Sequence, residues 1–109
     1  MKRFGAIIGL TDETRDRYIE LHRESWPGVS AALGRANIRN YSIFLREPEN
    51  LLFGYFEYVG DDFAADQAKL AEDPITSEWQ RIVAPLQRPL TPRKDGEWWA
   101  EMPEIFHLD

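Results

Sequence analysis

NYSIFLREPENLLFGYFEYV, residues 40–59, sets two runs of branched and aromatic residues on either side of a cluster of breakers. NYSIFL (Asn40 to Leu45) alternates with the period of a strand, and LLFGYFEYV (Leu51 to Val59) is rich in the aromatic residues that suit a pleated surface. EPEN (Glu47 to Asn50) between them is turn chemistry. The stretch therefore predicts an antiparallel hairpin in the middle of the chain. Tyr41, Ile43 and Leu45 fall on one side of its first strand and Phe44 on the other, so both faces carry apolar groups and both read as buried.

The flanking segments fit around that hairpin. Upstream, RFGAIIGL (Arg3 to Leu10) reads as a buried strand. Thr11 and Asp12 are good helix caps, and a helix follows to about Ser25. Pro27 opens a second helical stretch through Val29, Ala32, Leu33 and Ala36. Downstream, Gly60 and Asp61 precede a helix from Asp62 to about Glu72. Asp73-Pro74 interrupts it, and Thr76 or Ser77 would cap a further helix carrying Trp79, Ile82, Val83 and Leu86 on one side. Residues 87–96, with prolines, a glycine and basic side chains, predict an exposed loop, and EIFHL (Glu104 to Leu108) a last strand.

The order is β-α-β-β-α-β. It predicts an α+β fold of the ferredoxin-like kind, a four-stranded antiparallel sheet with helices on one face, formed by residues 1–109 as one domain. No helix is left to cover the second face. Two such sheets from two copies can close on each other, which predicts a homodimer.

Composition removes several classes of function. A net charge of -6, with no basic cluster beyond the short Arg88 to Lys94 loop, argues against nucleic acid and against an anionic membrane surface. Cysteine is absent, so disulfides and thiol chemistry are excluded. The longest apolar run is far too short to span a membrane and no signal peptide precedes the first strand, which predicts a cytoplasmic protein. With two histidines and no HxH or HxxxH spacing, no metal site is expected. The glycines are scattered singly, unlike a phosphate loop, and GxSxG does not occur. The acidic run DDFAAD reads as a helix start and a solvated face.

What remains is YIELHRESWP, residues 18–27. Successive i, i+4 positions share one helix face, so Tyr18, His22 and Trp26 set phenol, imidazole and indole in a row. Imidazole, with an ordinary pKa of ~6.5, both gives and takes a proton near neutrality. Such a row is either part of an aromatic core or the wall of a pocket for a neutral polyhydroxylated molecule. Periodicity does not separate the two.

The segments YIELHRESWPGV, IRNYSIFL and NLLFGYFEY, and the ending MPEIFHLD, resemble the L-rhamnose mutarotase family over nearly the whole chain. The most specific part is Tyr-x-x-x-His-x-x-x-Trp-Pro together with the Asn-Tyr of the second strand. The resemblance implies a dimeric ferredoxin-like α/β barrel that interconverts the α and β anomers of a 6-deoxyhexose without a cofactor. It implies that His22 transfers the proton, at either the ring oxygen or the anomeric oxygen. Tyr18 would orient the monosaccharide and act as a second relay, with Tyr18 and Tyr41 lining the sugar pocket. A tryptophan pair of the family corresponds to Trp79 and Gln80, so only Trp79 is retained. That departure leaves L-fucose beside L-rhamnose as the sugar. Tyr41 and Trp79 would supply a stacking wall, and Trp26, Trp79 or Ile43 an apolar contact for the methyl group. His107, in the predicted last strand, competes with His22 if it faces the barrel interior. Trp98 and Trp99 are expected over a dimer seam or the barrel mouth. Two other readings stand beside this one: a cofactor-free monooxygenase or haem-degrading protein on the same barrel, and a non-catalytic small-molecule-binding domain.

Overall fold

A computed structural model describes residues 1–109, and the central hairpin is its organising element. Strands β2 (Ile38–Arg46) and β3 (Leu51–Tyr58) run antiparallel, with Leu45 opposite Leu52 and Phe44 opposite Phe53. A bulge between Arg39 and Ser42 adds one residue to β2. Asn40 sits there at φ 50° and donates from Nδ2 to Glu57 Oε1 at 2.6 Å. Asparagine tolerates this left-handed backbone because its short polar side chain bonds locally. The bulge lets Ile38 and Ile43, an odd number of residues apart, face the same side of the sheet.

β1 (Lys2–Leu10) pairs antiparallel with the other edge of β3, Ile8 opposite Leu52. Beyond β1 the fourth strand is in two pieces, β4 (Gln87–Arg88) against Gly9 and Leu10, and β5 (Ala100–Met102) against Gly5 to Ile7. The strand order β2-β3-β1-β4, with β5 also on β1, gives the ferredoxin-like sheet its four positions. Helices α1 (Arg15–Arg23), α2 (Pro27–Arg35), α3 (Phe63–Glu72) and α4 (Pro74–Val83) fill the connections, and a 3₁₀ turn at Ala84–Leu86 leads into β4. None of these helices is long and apolar enough to cross a membrane.

Several expectations are corrected. The last strand is not EIFHL: residues 104–108 belong to no strand, and Ile105 is 94% exposed. Pairing with β1 ends at Met102 because Pro103 has no N–H to continue the ladder. His107 consequently lies on the exposed tail, paired through Nε2 with Asp109 at 2.7 Å, and does not face the interior. The first helix stops at Arg23, not Ser25, and Trp26 is extended (φ -75°, ψ 124°) because Pro27 clashes with a helical residue before it. Asp73 caps α4 in place of Thr76 or Ser77, its Oδ2 accepting from the Thr76 amide and the Thr76 hydroxyl, each at 2.8 Å. Pro74 then occupies the first turn, where no amide is needed. At the other end, Thr11 and Asp12 do not cap α1, whose N-cap position falls on Thr14. Residues 11–14 form a separate turn in which Thr11 Oγ1 accepts from the Thr14 amide.

The core lies between the sheet and the helices. Ile8, Leu10 and Leu52 from the sheet pack with Tyr18, Trp79 and Val83, and Ala36, Ile38 and Tyr58 form a smaller cluster beside them. Only 13 of 109 residues are buried, few for a chain of this length, because the second face of the sheet is bare. A row of paired residues crosses it, Ala100, Ile7, Phe53 and Phe44, with Met102 alongside. Phe44 is 65% exposed, so within one chain only the helix-covered face is buried.

Candidate active site

Four of the five singled-out side chains meet on the helix-covered face. Tyr18 and His22 are one turn apart on α1, and their rings stack with centroids 4.2 Å apart. Trp79 of α4 meets His22 edge-on at 5.2 Å and Trp26 edge-on at 5.2 Å. Trp26 thus reaches the row from the loop between the helices, although it does not continue the first helix. Trp79 is buried and closes the back of the imidazole. The amphipathic turn Trp79–Val83 brings it there by facing α4 to the core.

A cavity of about 250 Å³ opens beside Tyr18 and His22. Tyr18, Ile19, His22 and Arg23 form its helix side, and Ile43, Leu45 and Leu52 its sheet side. One wall is polar and titratable, the other aliphatic. Of the three residues expected to meet the methyl group, Trp26, Trp79 and Ile43, only Ile43 lines the cavity; Ile19, Arg23, Leu45 and Leu52 are lining residues that the sequence does not assign to a pocket. Leu45 carries a sequence signal, since it shares the parity of Ile43. Leu52 depends on the pairing register, which the sequence does not print.

Tyr41 is not in the cavity wall. It stands two residues before Ile43 on β2, its ring 5.5 Å from Phe56, with its surface 43% exposed. Enough protein surrounds the phenol for desolvation to push its pKa up. Gln80 is exposed on α4, so the indole absent at that position leaves the contact of Trp79 with His22 intact. Trp99 turns to the helix-covered face, where its ring fills the space above Gly54 and packs on the core, away from the bare face of the sheet.

The hydrogen bonds assign the tautomer of His22 and the partner of the Tyr18 phenol. His22 Nδ1 lies 2.8 Å from the Tyr18 carbonyl oxygen, which only accepts. Nδ1 therefore carries the hydrogen, and Nε2 of the neutral ring presents a lone pair. Tyr18 is 4% exposed, and burial pushes its phenol up to about 12, a single hydrogen bond from Gln87 pulling the other way. Through the neutral range Tyr18 keeps its proton and is a donor beside the His22 ring. No group of three or more histidine or carboxylate side chains converges here or elsewhere as a metal set. An acid and a base on adjacent turns, facing an aliphatic wall, form a site for proton transfer to and from a small neutral molecule.

Comparison with known proteins gives a consistent answer. A family model described as L-rhamnose mutarotase matches residues 3–108. An L-rhamnose mutarotase of Oceanobacillus iheyensis is 34% identical over 109 residues, with all of both chains covered. An L-fucose mutarotase of Xanthomonas campestris pv. campestris is 33% identical over 114 residues, covering 99% of this chain and 89% of its own. Among solved structures, the crystal structure of an L-rhamnose mutarotase from Formosa agariphila superposes with a TM-score of 0.76 at 23% identity, all of both chains being covered. At that identity the superposition speaks to the fold, which is the ferredoxin-like α+β fold expected from the order of elements.

Proposed function

The chain belongs to the L-rhamnose mutarotase family, and from that premise we propose that it interconverts the α and β anomers of a 6-deoxyhexose, L-rhamnose or L-fucose, between His22 and Tyr18. It is an isomerase acting on sugar anomers. The observation that carries the residue assignment is the complementary pair itself, a lone pair on His22 Nε2 and a retained proton on Tyr18.

In the ring-opening direction, the anomeric hydroxyl gives its proton to His22 Nε2 while the bond from C1 to the ring oxygen breaks and C1 becomes a carbonyl. The ring oxygen takes the Tyr18 proton as it leaves. An alkoxide is a stronger base than a phenolate, so even a phenol near 12 delivers its proton once that bond has lengthened. The aldehyde turns about its bond to C2, and closure on the other face returns both protons. No step calls for a cofactor. Acid–base help of ~10²–10⁴-fold with positioning suffices for a reaction that already proceeds in water.

Ile43, Leu45 and Leu52 offer the methyl group of a deoxy sugar an aliphatic seat opposite the polar wall. The cavity of about 250 Å³ is below the ~300–1,000 Å³ typical of drug-sized ligands, which suits a monosaccharide. Trp79, itself packed against Trp26, holds the imidazole in place, and Tyr41 stands on β2 outside the cavity wall. The same reading makes the working unit a homodimer closed through the bare sheet face. It also places the reaction in the cytoplasm, where a cysteine-free chain needs no oxidising surroundings.

Exchange spectroscopy at the anomeric protons of L-rhamnose and L-fucose tests the proposal. Acceleration of C1 exchange for one or both sugars supports it. Saturation transfer to a bound sugar without faster exchange would make the chain a binding domain. A Soret band on haem titration, with no sugar exchange, would move it to the haem-degrading reading.

A further inference from the structure

Gln87 and Trp98 sit behind the site, and neither touches the cavity. Gln87 Nε2 lies 3.2 Å from Tyr18 Oη, and Trp98 Nε1 lies 2.7 Å from Gln87 Oε1. We propose that Gln87, held by Trp98, is a positioning residue that fixes the direction of the Tyr18 hydroxyl, so that the phenol donates its hydrogen into the cavity. The inference rests on the reading of Tyr18 and His22 as the reacting pair and deepens it.

What each atom is able to do fixes the direction of both bonds. An indole N–H is a donor only, so the Gln87 atom facing it must be the amide oxygen. With the amide turned over, its NH₂ would meet the indole N–H donor to donor at the same 2.7 Å. The remaining end of the amide is its NH₂, which has nothing to accept with. Tyr18 Oη must receive that bond, and its own hydrogen must point elsewhere. Gln87 makes the only hydrogen bond to Tyr18 Oη within the chain, which leaves the cavity as the direction open to the proton.

The supports of this relay come from three parts of the chain. Gln87 is fixed by β4, paired opposite Leu10 at the end of β1. Trp98 comes from the far end of the excursion between β4 and β5, with the Arg93 guanidinium 5.4 Å from its ring centroid. Trp98 is 40% exposed, so packing alone does not account for its position, whereas its N–H contact does.

A phenol free to rotate would accept from a sugar hydroxyl as readily as donate. A phenol locked as donor, beside an imidazole locked as acceptor, gives the site a polarity. The ring oxygen of a pyranose carries no hydrogen and fits only against the donor. The anomeric hydroxyl carries one and fits against the acceptor. The relay thus sets the orientation in which the sugar reacts, with the ring oxygen at Tyr18 and the anomeric oxygen at His22.

Steady-state mutarotation and exchange rates of Gln87→Glu, Trp98→Phe, Tyr18→Phe and the Gln87→Glu/Tyr18→Phe double variant test this. Glutamate keeps the size of glutamine but accepts at both oxygens, so it keeps the Trp98 bond and draws the Tyr18 hydrogen away from the sugar. Its kcat should fall at least ~10-fold, approaching that of Tyr18→Phe, with KM changed far less. The double variant should be no slower than Tyr18→Phe alone. Trp98→Phe releases the amide and should cost about 2- to 10-fold in kcat, the scale of one neutral hydrogen bond. As an exposed position it also gives a result if Gln87→Glu does not fold. Full kcat in Gln87→Glu, or in a folded Trp98→Phe when Gln87→Glu does not fold, overturns the inference. So does a loss in the double variant equal to the sum of the two single losses. If those results come with a slow Tyr18→Phe, the catalytic pair stands and only the relay falls. If Tyr18→Phe keeps the full rate, the reading of the pair falls first.

Discussion

At the scale of single residues, geometry divides two histidines that composition cannot tell apart. His22 is held by the Tyr18 carbonyl, the Tyr18 ring and the Trp79 edge, over a cavity. His107 is tied to Asp109 on an exposed tail. His22→Ala should lower anomeric exchange at least ~10²-fold with circular dichroism unchanged, whereas His107→Ala should keep most of the rate. The reverse outcome in the same exchange experiment would move the site to the tail. Tyr18 adds a prediction about pH. Burial holds the phenol up to about 12, so the required donor stays protonated through the neutral and mildly alkaline range. As pH rises, the loss of rate from Tyr18 ionisation should come only on approach to that value. A pH–rate profile on Tyr18-dependent exchange that fell near pH 8 would contradict the buried donor.

At the scale of elements, two local devices hold the site and each can be broken alone. The first is the close approach of β4 to β1. A Cβ on Gly9 would lie 2.9 Å from the Arg88 carbonyl oxygen, a backbone atom with little freedom to yield. Gly9→Ala should push β4 off β1, costing about 1–3 kcal/mol in urea unfolding, and should slow the reaction because Gln87 travels with Arg88. Unchanged stability would mean that the strand pair tolerates the methyl. The second device is the Asp73 cap on α4, the helix that carries Trp79. The Thr76 amide, then the Thr76 hydroxyl, hold the Asp73 carboxyl below its ordinary 3.8. A carboxylate depressed in the folded state stabilises above its unfolded pKa, and that contribution is lost as pH falls through the folded value. Asp73→Ala should therefore lower the Tm by a few degrees at pH 7, and the gap to the parent protein should close below pH ~4. A gap that persisted in acid melts would point to packing and not to the cap.

At the scale of the whole molecule, the unequal faces of the sheet are the dominant feature. One face buries Ile8, Leu10 and Leu52 beneath the helices, while the other leaves Phe44 at 65% and Phe53 at 36% exposure, side by side across the hairpin. Apolar side chains continue off the sheet into the tail, where Ile105, Phe106 and Leu108 are exposed as well. A patch of this kind favours closure against a second copy. Sedimentation at micromolar concentration should give twice the chain mass of 12.7 kDa. Phe44→Glu places a charge on the bare face, at the β2 end of its apolar row, and should shift the protein to the mass of one chain. A parent protein that sediments as a monomer would remove the dimer from the reading.

Local chemistry was legible in the sequence wherever the cause of a structure is local. Alternation in NYSIFL, aromatic density in LLFGYFEYV and the breakers EPEN define the hairpin, and Pro27 marks a helix start where the first-turn amide goes unused. The order of elements limits the sheet to very few topologies, and one-turn spacing puts Tyr18 against His22 without further information. Contacts between distant segments were not legible. EIFHL has the composition of a strand, yet Pro103 ends the pairing with β1 before the chain reaches it, and the fourth position goes to Gln87–Arg88 and Ala100–Met102. Leu52 in the cavity wall and the bond from Gln87 to Tyr18 span 34 and 69 positions. Periodicity reports which face a side chain takes on its own element. It holds no record of what stands opposite, because register, strand edges and hydrogen-bond partners are settled only when the elements pack together.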